Sequence, residues 1–248
     1  MAESSSPPAA EAPRRAPDVS DFQPRARPVV KRQRISDWVY DEICEAIRDL
    51  SLAPGAPISE PSLAAQLNVS RAPVREALTR LSDQRLVVVT PQVGTRVAPI
   101  LVSDVAEACF IRSALEVSAF ETAVADPSVD TTELRRIFEV GAEAARARDE
   151  EAFFAADEQL HQEVFALAGV PHVWDVIRGV KMNLDRLRRL HLSEAVVNPQ
   201  ITDEHRMIVE ALERRDRSTG VEAIRRHANR ILTDTDTFRS LSPEYFVE

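Results

Sequence analysis

Apolar residues recur at helical spacing through most of the chain, and one such stretch also carries two arginines. Residues 70–81 (SRAPVREALTRL) have an apolar stripe typical of a helix face. Its members are Val74, Ala77, Leu78 and Leu81. Ser70 fits the N-cap position, and Pro73 falls in the first turn, where its missing N–H is tolerated. Arg71 and Arg75 then stand one turn apart at the N-terminal end of this helix.

Arginines at a helix N-terminus are typical of a DNA recognition helix, because guanidinium groups pair with guanine edges and phosphate oxygens. The alternative is a surface amphipathic helix with solvated arginines. The flanking sequence favours the first interpretation. Residues 58–70 predict a short helix and a tight turn, and residues 86–90 and 95–98 predict two strands of a hairpin. A helix-turn-helix followed by a hairpin is a winged helix, with Arg96 near the wing tip, within reach of phosphate or the minor groove.

The stretch ISEPSLAAQLNVSRAPVREALTRL, followed by VVVTPQVGTRVAPI, resembles the DNA-binding domain of GntR-family bacterial transcription regulators. The resemblance covers residues 31–100. It implies that Arg71 and Arg75 contact operator DNA and that Gly94 sits in the wing. Ser70, at the start of the predicted recognition helix, and Arg96 complete the set of DNA-binding candidates.

Charge is distributed unevenly along the 248 residues, whose formal net charge is −9. Residues 1–102 carry 13 basic and 12 acidic side chains, and residues 103–248 carry 18 and 28. Within residues 61–100 there are five arginines and two acids, so the predicted DNA-binding unit is locally basic. Cys44 and Cys109 fall in apolar patterns and are predicted to be buried thiols of a cytoplasmic protein. No apolar run approaches the length needed to span a membrane.

The apolar periodicity of the chain, with breaks at Pro, Gly, Asn and Asp residues, predicts a mainly α fold with two folded domains. Residues 1–30 are predicted to be a disordered tail, 31–101 a winged helix-turn-helix, 102–241 an all-helical domain, and 242–248 a C-terminal tail. The basic residues of the N-terminal tail make it either an arm that lies along DNA phosphates or a solvated linker. No strand pattern appears after residue 100. Six helices are predicted there: 103–124, with Ser103 as its cap, 131–148, 150–168, 173–192, 201–215 and 219–238.

A second site is predicted from the histidines of the helical domain. Asp157 and His161 are four residues apart and project from one helix face. His205 and His227 lie on the fifth and sixth predicted helices. A carboxylate and imidazoles from three facing helices form a plausible divalent-metal site. The alternative is a set of scattered histidines that are capped or partly exposed. His172 and His191 are interpreted as surface or loop residues.

A helical bundle of this size after such a winged helix resembles the FadR-type ligand-binding domain, called FCD, and its six helices resemble the shorter VanR-like branch. The resemblance implies that the four residues bind a divalent ion, often zinc or nickel, and that a small organic acid reaches this metal. It also implies that Arg112, in FIRSALE, pairs with the effector's carboxylate; the alternative is a salt bridge to Glu116. Asn183 is a further candidate for the effector pocket.

The sequence therefore predicts a ligand-responsive transcription regulator that binds double-stranded operator DNA, and we expect a repressor. We expect a homodimer, because helix-turn-helix proteins read paired half-sites with two-fold symmetry. Two alternatives stay open. One is a DNA-binding protein whose metal is purely structural. The other is a metal-dependent hydrolase that activates water, although no strong nucleophile motif lies nearby and the winged helix would be unexplained.

Overall fold

The computed structural model describes residues 22–24, 34–241 and 243–247. Over these residues the chain forms a winged helix-turn-helix followed by a helical domain, so the predicted fold class is confirmed. The first comprises α1 (Ile35–Arg48), β1 (Pro57–Ile58), α2 (Glu60–Gln66), α3 (Arg71–Asp83), β2 (Val87–Thr90) and β3 (Gly94–Val97). Then follow β4 (Ile100–Leu101), α4 (Val102–Ala125), α5 (Thr132–Ala147), α6 (Glu150–Leu167), α7 (Val173–Val180), α8 (Met182–Leu190), α9 (Leu192–Val196), α10 (Pro199–Glu213), α11 (Arg217–Leu241) and β5 (Phe246–Val247).

The winged helix is built on the apolar face of α3. Val74 and Leu81 are fully buried there and pack against α1, where Val39, Ile43 and Ile47 are also fully buried. Burying an aliphatic side chain of this size contributes about 1.5–3 kcal/mol. This packing fixes α3 on the domain and turns its polar face outward.

The wing is a three-stranded antiparallel sheet in the order β1-β3-β2. Val88 pairs with Arg96, and Thr90 pairs with Gly94 beside the turn. Gly94 has a φ of +121°, a value that residues with a Cβ rarely adopt. β1 was not predicted, because a strand of two residues is too short to show an alternating pattern.

The helical domain has its own core between α4, α5, α6, α10 and α11. In it α5 lies against α6, and both α4 and α10 lie against α11. Phe120, Leu134 and Leu212 are fully buried at these contacts, and Phe165 is nearly so. Three helices of this core, α6, α10 and α11, carry the predicted metal ligands.

The predicted helix 173–192 is wrong in detail, since the chain breaks it into α7, α8 and the start of α9. The first break follows Gly179, a poor helix former, and falls at Lys181. The Lys181 side chain is fully buried, and its Nζ donates to Glu158 Oε2 at 2.6 Å and to Asp185 Oδ2 at 2.7 Å. Between residues 102 and 241 eight helical segments replace the six predicted, so the helix count no longer supports the VanR-like branch.

Both predicted tails contain an apolar residue that packs against a folded domain. Phe22 lies in the stretch predicted to be disordered, yet it is buried in the core of the winged helix. Phe246 is buried against Leu184 and Leu187, and β5 pairs in parallel with β4. Sequence patterning missed Phe22 because it is a single aromatic residue in a polar context, and it missed Phe246 because the apolar stretch of residues 245–247 is too short to show a pattern. The remainder of 1–30, with most of its basic residues, lies outside the described residues.

The start of the helical domain also differs from the prediction. α4 begins at Val102 with Leu101 at its N-cap position, so Ser103 lies inside the first turn and does not cap the helix. The chain enters α4 directly from β4, and this continuity explains the earlier start.

Candidate metal centre, effector cavity and nucleic-acid interface

Three helices bring one carboxylate and three imidazoles together. Asp157 and His161 project from α6, His205 from α10 and His227 from α11. One ligand atom from each residue lies within 4.8 Å of the others. His227 Nε2 is 3.1 Å from His161 Nε2 and 3.3 Å from His205 Nε2. His205 Nε2 is 3.3 Å from Asp157 Oδ1. We call these four residues the Asp157 cluster.

Two of the imidazoles have a carboxylate at their other nitrogen. His161 Nδ1 lies 3.1 Å from Glu116 Oε2 on α4. His227 Nδ1 lies 3.3 Å from Glu204 Oε2 on α10, and Glu204 also accepts a hydrogen bond from Arg230. A carboxylate behind a ligating histidine fixes the tautomer and the orientation of the ring. These contacts leave both Nε2 atoms facing the centre of the cluster.

Burial and neighbouring charges shift the pKa values of three residues of the cluster. Burial lowers the pKa of His161, and it lowers the pKa of His227 to about 3. Burial alone would raise the pKa of Asp157, but the nearby Arg188 guanidinium and the hydrogen bond from His205 outweigh it and hold this pKa well below its usual value. Near neutral pH His161 and His227 therefore offer neutral imidazole nitrogens and Asp157 an ionised carboxylate, which are the forms that bind metal ions.

The separations within the cluster fit a divalent cation. Two Zn–N bonds of about 2.0–2.1 Å, at tetrahedral or octahedral angles, place their nitrogens about 2.9–3.4 Å apart. The nitrogen–nitrogen distances here are 3.1 and 3.3 Å. Imidazole-rich donor sets suit zinc and nickel among other metals. The residues present can thus hold such an ion without rearrangement of the helices.

A cavity of about 150 Å³ borders the cluster, and Asp157 and His227 form part of its wall. Most of the remaining wall is apolar and includes Phe153, Leu184, Leu187, Leu192, Ala228 and Ile231. Its polar side chains are Arg112, Arg188, His191, Glu194, Asn198 and Arg230. The cavity thus combines a cationic end beside the cluster with a largely apolar body.

Arg112 makes the predicted salt bridge and also faces the cavity. Its Nε donates to Glu116 Oε1 at 2.6 Å, so the alternative interpretation of this residue describes a real contact. The side chain is 3% exposed, and its buried Nη2 has no hydrogen-bond partner among the described residues. An unpaired buried donor is destabilising. A carboxylate bound in the cavity would supply the missing acceptor, since guanidinium and carboxylate are complementary.

Asn183 is corrected by the structure, since it does not line this cavity. Its Nδ2 donates to Asp104 Oδ2 at 2.9 Å, and its Oδ1 accepts from Arg186 Nη1 at 2.8 Å. It lies in a cleft of about 1070 Å³ between the two domains. The reason is helix geometry, because α8 turns Leu184 and Leu187 toward the cavity and Asn183 away from it.

His191 was predicted to be a surface or loop residue, but it is 6% exposed and lies in the cavity wall. α8 ends at Leu190 and α9 starts at Leu192, and the ring between them points inward. The other histidine without a predicted role, His172, is on the surface as expected, with a side chain 97% exposed.

The predicted DNA-binding face of α3 is exposed. Ser70 occupies the N-cap position, although its hydroxyl makes no capping hydrogen bond. Ser70, Arg71 and Arg75 all face solvent. Arg75 Nη2 lies 3.0 Å from Glu60 Oε2 at the start of α2, while its side chain stays 69% exposed. Both arginines are thus presented at the N-terminal end of the helix, as their spacing predicted.

The wing also presents its two candidates at the surface. Gly94 begins β3 directly after the turn, and Arg96 lies two residues further along the strand. Arg96 is exposed, and its Nη1 donates to the Gly55 carbonyl at 2.9 Å. Arg96 therefore lies beside the wing tip, and its guanidinium is held by the Gly55 carbonyl.

Three residues that support the cluster were missed by sequence reasoning. Arg188 on α8 donates to Asp157, and its Nη1 donates to Glu158 Oε1 at 3.0 Å. The other two are Glu116 and Glu204. Glu116 had a local signal, namely its position four residues after Arg112. Arg188 and Glu204 had none, because the contacts that define their roles join distant parts of the chain.

Comparison with known proteins identifies both domains. The model of "Bacterial regulatory proteins, gntR family" matches residues 35–97, and that of the FCD domain matches residues 107–230. A Streptomyces ambofaciens protein, described as an uncharacterized HTH-type transcriptional regulator in an unstable DNA locus, is 37% identical over 84% of this chain and 88% of its own length. A probable D-xylose utilization operon transcriptional repressor from Paenarthrobacter nicotinovorans is 32% identical, over 82% and 90%.

A solved structure shares the fold. The Escherichia coli protein McbR/YncC matches 83% of this chain and 99% of its own, with a TM-score of 0.67 and 21% sequence identity. Within the described ranges, no helix combines the length and apolar character needed to cross a membrane. The two matching domain models and the relatives give one conclusion: the chain belongs to the GntR family of bacterial regulatory proteins, carries an FCD domain, and is a DNA-binding transcription regulator rather than an enzyme.

Proposed function

We propose that this regulator is a repressor whose affinity for operator DNA is controlled by a small carboxylate bound beside a divalent metal ion. One observation carries the proposal. The Asp157 cluster borders a cavity whose wall includes Arg112, and the buried Nη2 of Arg112 has no hydrogen-bond partner among the described residues. A metal-ion site and a free guanidinium donor in one cavity are complementary to a carboxylate.

Each part of the site has a defined role in this proposal. The Asp157 cluster holds the ion, with zinc or nickel suited to its donors, and the bound ion supplies a Lewis-acid position for a carboxylate oxygen. Arg112 Nη2 donates to the same carboxylate. Glu116 contacts both His161 and Arg112, so it sets the two binding groups at a fixed separation. The apolar wall around Leu187 excludes water and strengthens these interactions.

DNA binding is assigned to the exposed end of α3 and to the wing. In this proposal Arg71 and Arg75 contact bases or phosphates, and Ser70, Gly94 and Arg96 lie beside the sugar-phosphate backbone of the DNA. A homodimer would present two copies of this face to a two-fold operator. The repressor assignment is supported by the relative described as a probable transcriptional repressor.

α8 offers a physical route from the cavity to the winged helix. On one side Leu187 and Arg188 line the cavity. On the other, Asp185 lies 3.9 Å from Arg48 of α1, and the fully buried Arg186 donates to the Ala98 carbonyl in the linker. A carboxylate ligand that attracts the guanidinium of Arg188, and so competes with Asp157 for it, would change how α8 meets α1. We propose that this contact shifts the placement of the winged helix.

A second candidate function is a DNA-binding protein with a purely structural metal. It is favoured by the cluster itself, because four protein donors complete a tetrahedral set and structural zinc sites are closed. Under this alternative, chelation lowers the stability of the fold, whereas small acids leave operator affinity unchanged.

The proposed metal site is tested by His161→Ala, with metal content measured on the purified full-length chain. We expect metal content to fall well below that of the wild type, because His161 supplies one of the converging nitrogens. DNA affinity without effector should be retained, since His161 is far from α3 in sequence and belongs to the other domain.

His172→Ala is the matched control, because this histidine is 97% exposed and outside the cluster. It should bind metal as the wild type does. Full metal occupancy in His161→Ala would remove this residue from the ligand set.

A further inference from the structure

We infer that the cavity selects a compact apolar acid, such as a branched-chain or single-ring monocarboxylate, and excludes polyhydroxylated sugar acids. The inference rests on the proposed function, because it takes the cavity beside the Asp157 cluster as the effector site. It concerns the body of the effector, whereas the proposed function concerns only its carboxylate.

The first argument is the chemistry of the wall. Leu184, Leu187 and Ala228 are at most 2% exposed, and Phe153 and Leu192 are 5% exposed. These side chains offer a ligand only carbon surface. A hydroxyl group transferred from water to such a wall loses its hydrogen bonds to water and gains no partner in return. Each hydroxyl facing this wall therefore weakens binding, while each methyl or ring carbon strengthens it.

The second argument is that most polar groups of the wall already have partners. Arg230 is bound to Glu204 and to Gln200 Oε1, the latter at 2.6 Å. Asn198 Oδ1 accepts from the Gln200 amide at 3.0 Å as the cap of α10. The Glu194 side chain is 63% exposed and belongs to the rim. Each nitrogen of the buried His191 imidazole can form a hydrogen bond with one hydroxyl group at most, whereas a sugar acid carries several hydroxyl groups.

The third argument is size. The cavity has a volume of about 150 Å³, and an apolar cavity of about 150 Å³ accommodates a guest such as benzene. With the carboxylate placed at the Asp157 cluster and Arg112, the remaining space fits one ring or one branched chain. Long acyl chains exceed this volume.

The cavity wall also contains a position at which its volume can be reduced without touching the binding groups. Ala195 lies in the wall on the short helix α9 and is only partly buried. A larger side chain there would occupy space within the cavity. Val197, two residues further on, is 52% exposed and is not in the wall, so it gives a matched control.

The experiment is isothermal titration calorimetry on the full-length, zinc-loaded chain with benzoate, 3-methylbutanoate, gluconate and benzamide. We expect benzoate or 3-methylbutanoate to bind about tenfold or more tightly than gluconate, because of the unpaired hydroxyls. Benzamide should bind about tenfold or more weakly than benzoate, because it lacks the charge. Ala195→Leu should weaken binding of the preferred acid by about tenfold or more, and Val197→Leu should not.

The outcomes separate this inference from the proposed function. Gluconate binding as tightly as the apolar acids, with dependence on the metal, would overturn the inference and leave the proposed function standing. If none of the acids binds the zinc-loaded chain, both are overturned. If Ala195→Leu binds the preferred acid like the wild type, the apolar acid occupies some other site and the inference fails.

Discussion

At the residue scale, Glu116 connects the two binding groups of the candidate site. Its Oε1 accepts from Arg112 Nε at 2.6 Å, and its Oε2 lies 3.1 Å from His161 Nδ1. Burial alone would raise the pKa of Glu116, but Arg112 and His161 outweigh it and lower this pKa below its usual value. The carboxylate is therefore ionised near neutral pH and orients both partners.

The exposed arginines of α3 lead to a prediction about DNA affinity. Arg75→Ala should weaken binding to a duplex selected by the protein from a random library, by about 1–3 kcal/mol if the lost contact is a bidentate base contact. The change should also relax sequence preference at one position of the site. Fluorescence anisotropy on the selected duplex and on single-base variants measures both effects.

A matched control is Arg214→Ala, which removes the same charge from an arginine of the helical domain whose side chain is 74% exposed. It should leave DNA affinity unchanged. Equal affinities for Arg75→Ala and the wild type would remove Arg75 from the reading face.

The four residues of the Asp157 cluster could be predicted at this scale, whereas the residues behind them could not. Asp157 and His161 share a helix face by spacing, His205 and His227 lie on two further predicted helices, and the family resemblance joins all four in one set. Arg188 contacts Asp157 from a helix 31 residues further along the chain. No local pattern encodes such a contact, because it depends on how α6 and α8 pack.

At the element scale, α4 and α11 approach each other closely at Gly220. A Cβ at Gly220 would lie 1.9 Å from Phe120 Cζ, and Phe120 is fully buried. Gly220→Ala should therefore lower the free energy of unfolding by about 1–3 kcal/mol, the usual effect of overpacking a close-packed core. Urea unfolding followed by circular dichroism measures this change.

Gly179→Ala provides the comparison for that substitution. A Cβ at Gly179 in α7 meets nothing within 4 Å, and alanine is favoured over glycine in helices by about 1 kcal/mol. This variant should be as stable as the wild type or more stable. Equal stability of Gly220→Ala and the wild type would show that α4 and α11 can move apart without lowering the free energy of unfolding.

Most helices of the second domain could be predicted to within about two residues from apolar periodicity and from Pro or Asp breaks. The helix predicted over 173–192 could not, because its division depends on the buried ion pairs of Lys181 with Glu158 and Asp185. β4 and β5 were also missed. Their pairing joins residues 146 positions apart, such as Ile100 and Phe246.

At the scale of the whole molecule, α8 lies between the site and the winged helix. Asp185 bonds Lys181, lies 3.7 Å from Arg188 Nη1, and lies 3.9 Å from Arg48 Nη1 on α1. Arg188 in turn contacts Asp157. A continuous set of ion pairs thus runs from the Asp157 cluster to the first helix of the DNA-binding domain.

This arrangement predicts that Arg48→Ala weakens the coupling between effector and DNA. Effector affinity and DNA affinity, each measured alone, should stay close to wild type. The coupling free energy between them should fall by about 0.5–2 kcal/mol, since Arg48 is the contact of this set on α1. A thermodynamic cycle of effector binding with and without DNA measures it.

Arg146→Ala is the control for Arg48→Ala, because Arg146 pairs only with Glu143 among the ion pairs found in the described residues and is 65% exposed. Its coupling should equal that of the wild type. A wild-type coupling in Arg48→Ala would show that the signal passes through another contact between the domains.

The difference in charge between a basic winged helix and an acidic helical domain could be predicted from the sequence alone. The position of the contact between them could not, because it depends on the packing of α8 against α1.

The most direct test of the account is operator affinity of the zinc-loaded, full-length chain, measured with and without the tightest-binding acid of the panel. The account predicts that the acid weakens DNA binding by about tenfold or more in the wild type and leaves it unchanged in His161→Ala. An operator affinity that is the same with and without the bound acid in the wild type would contradict it.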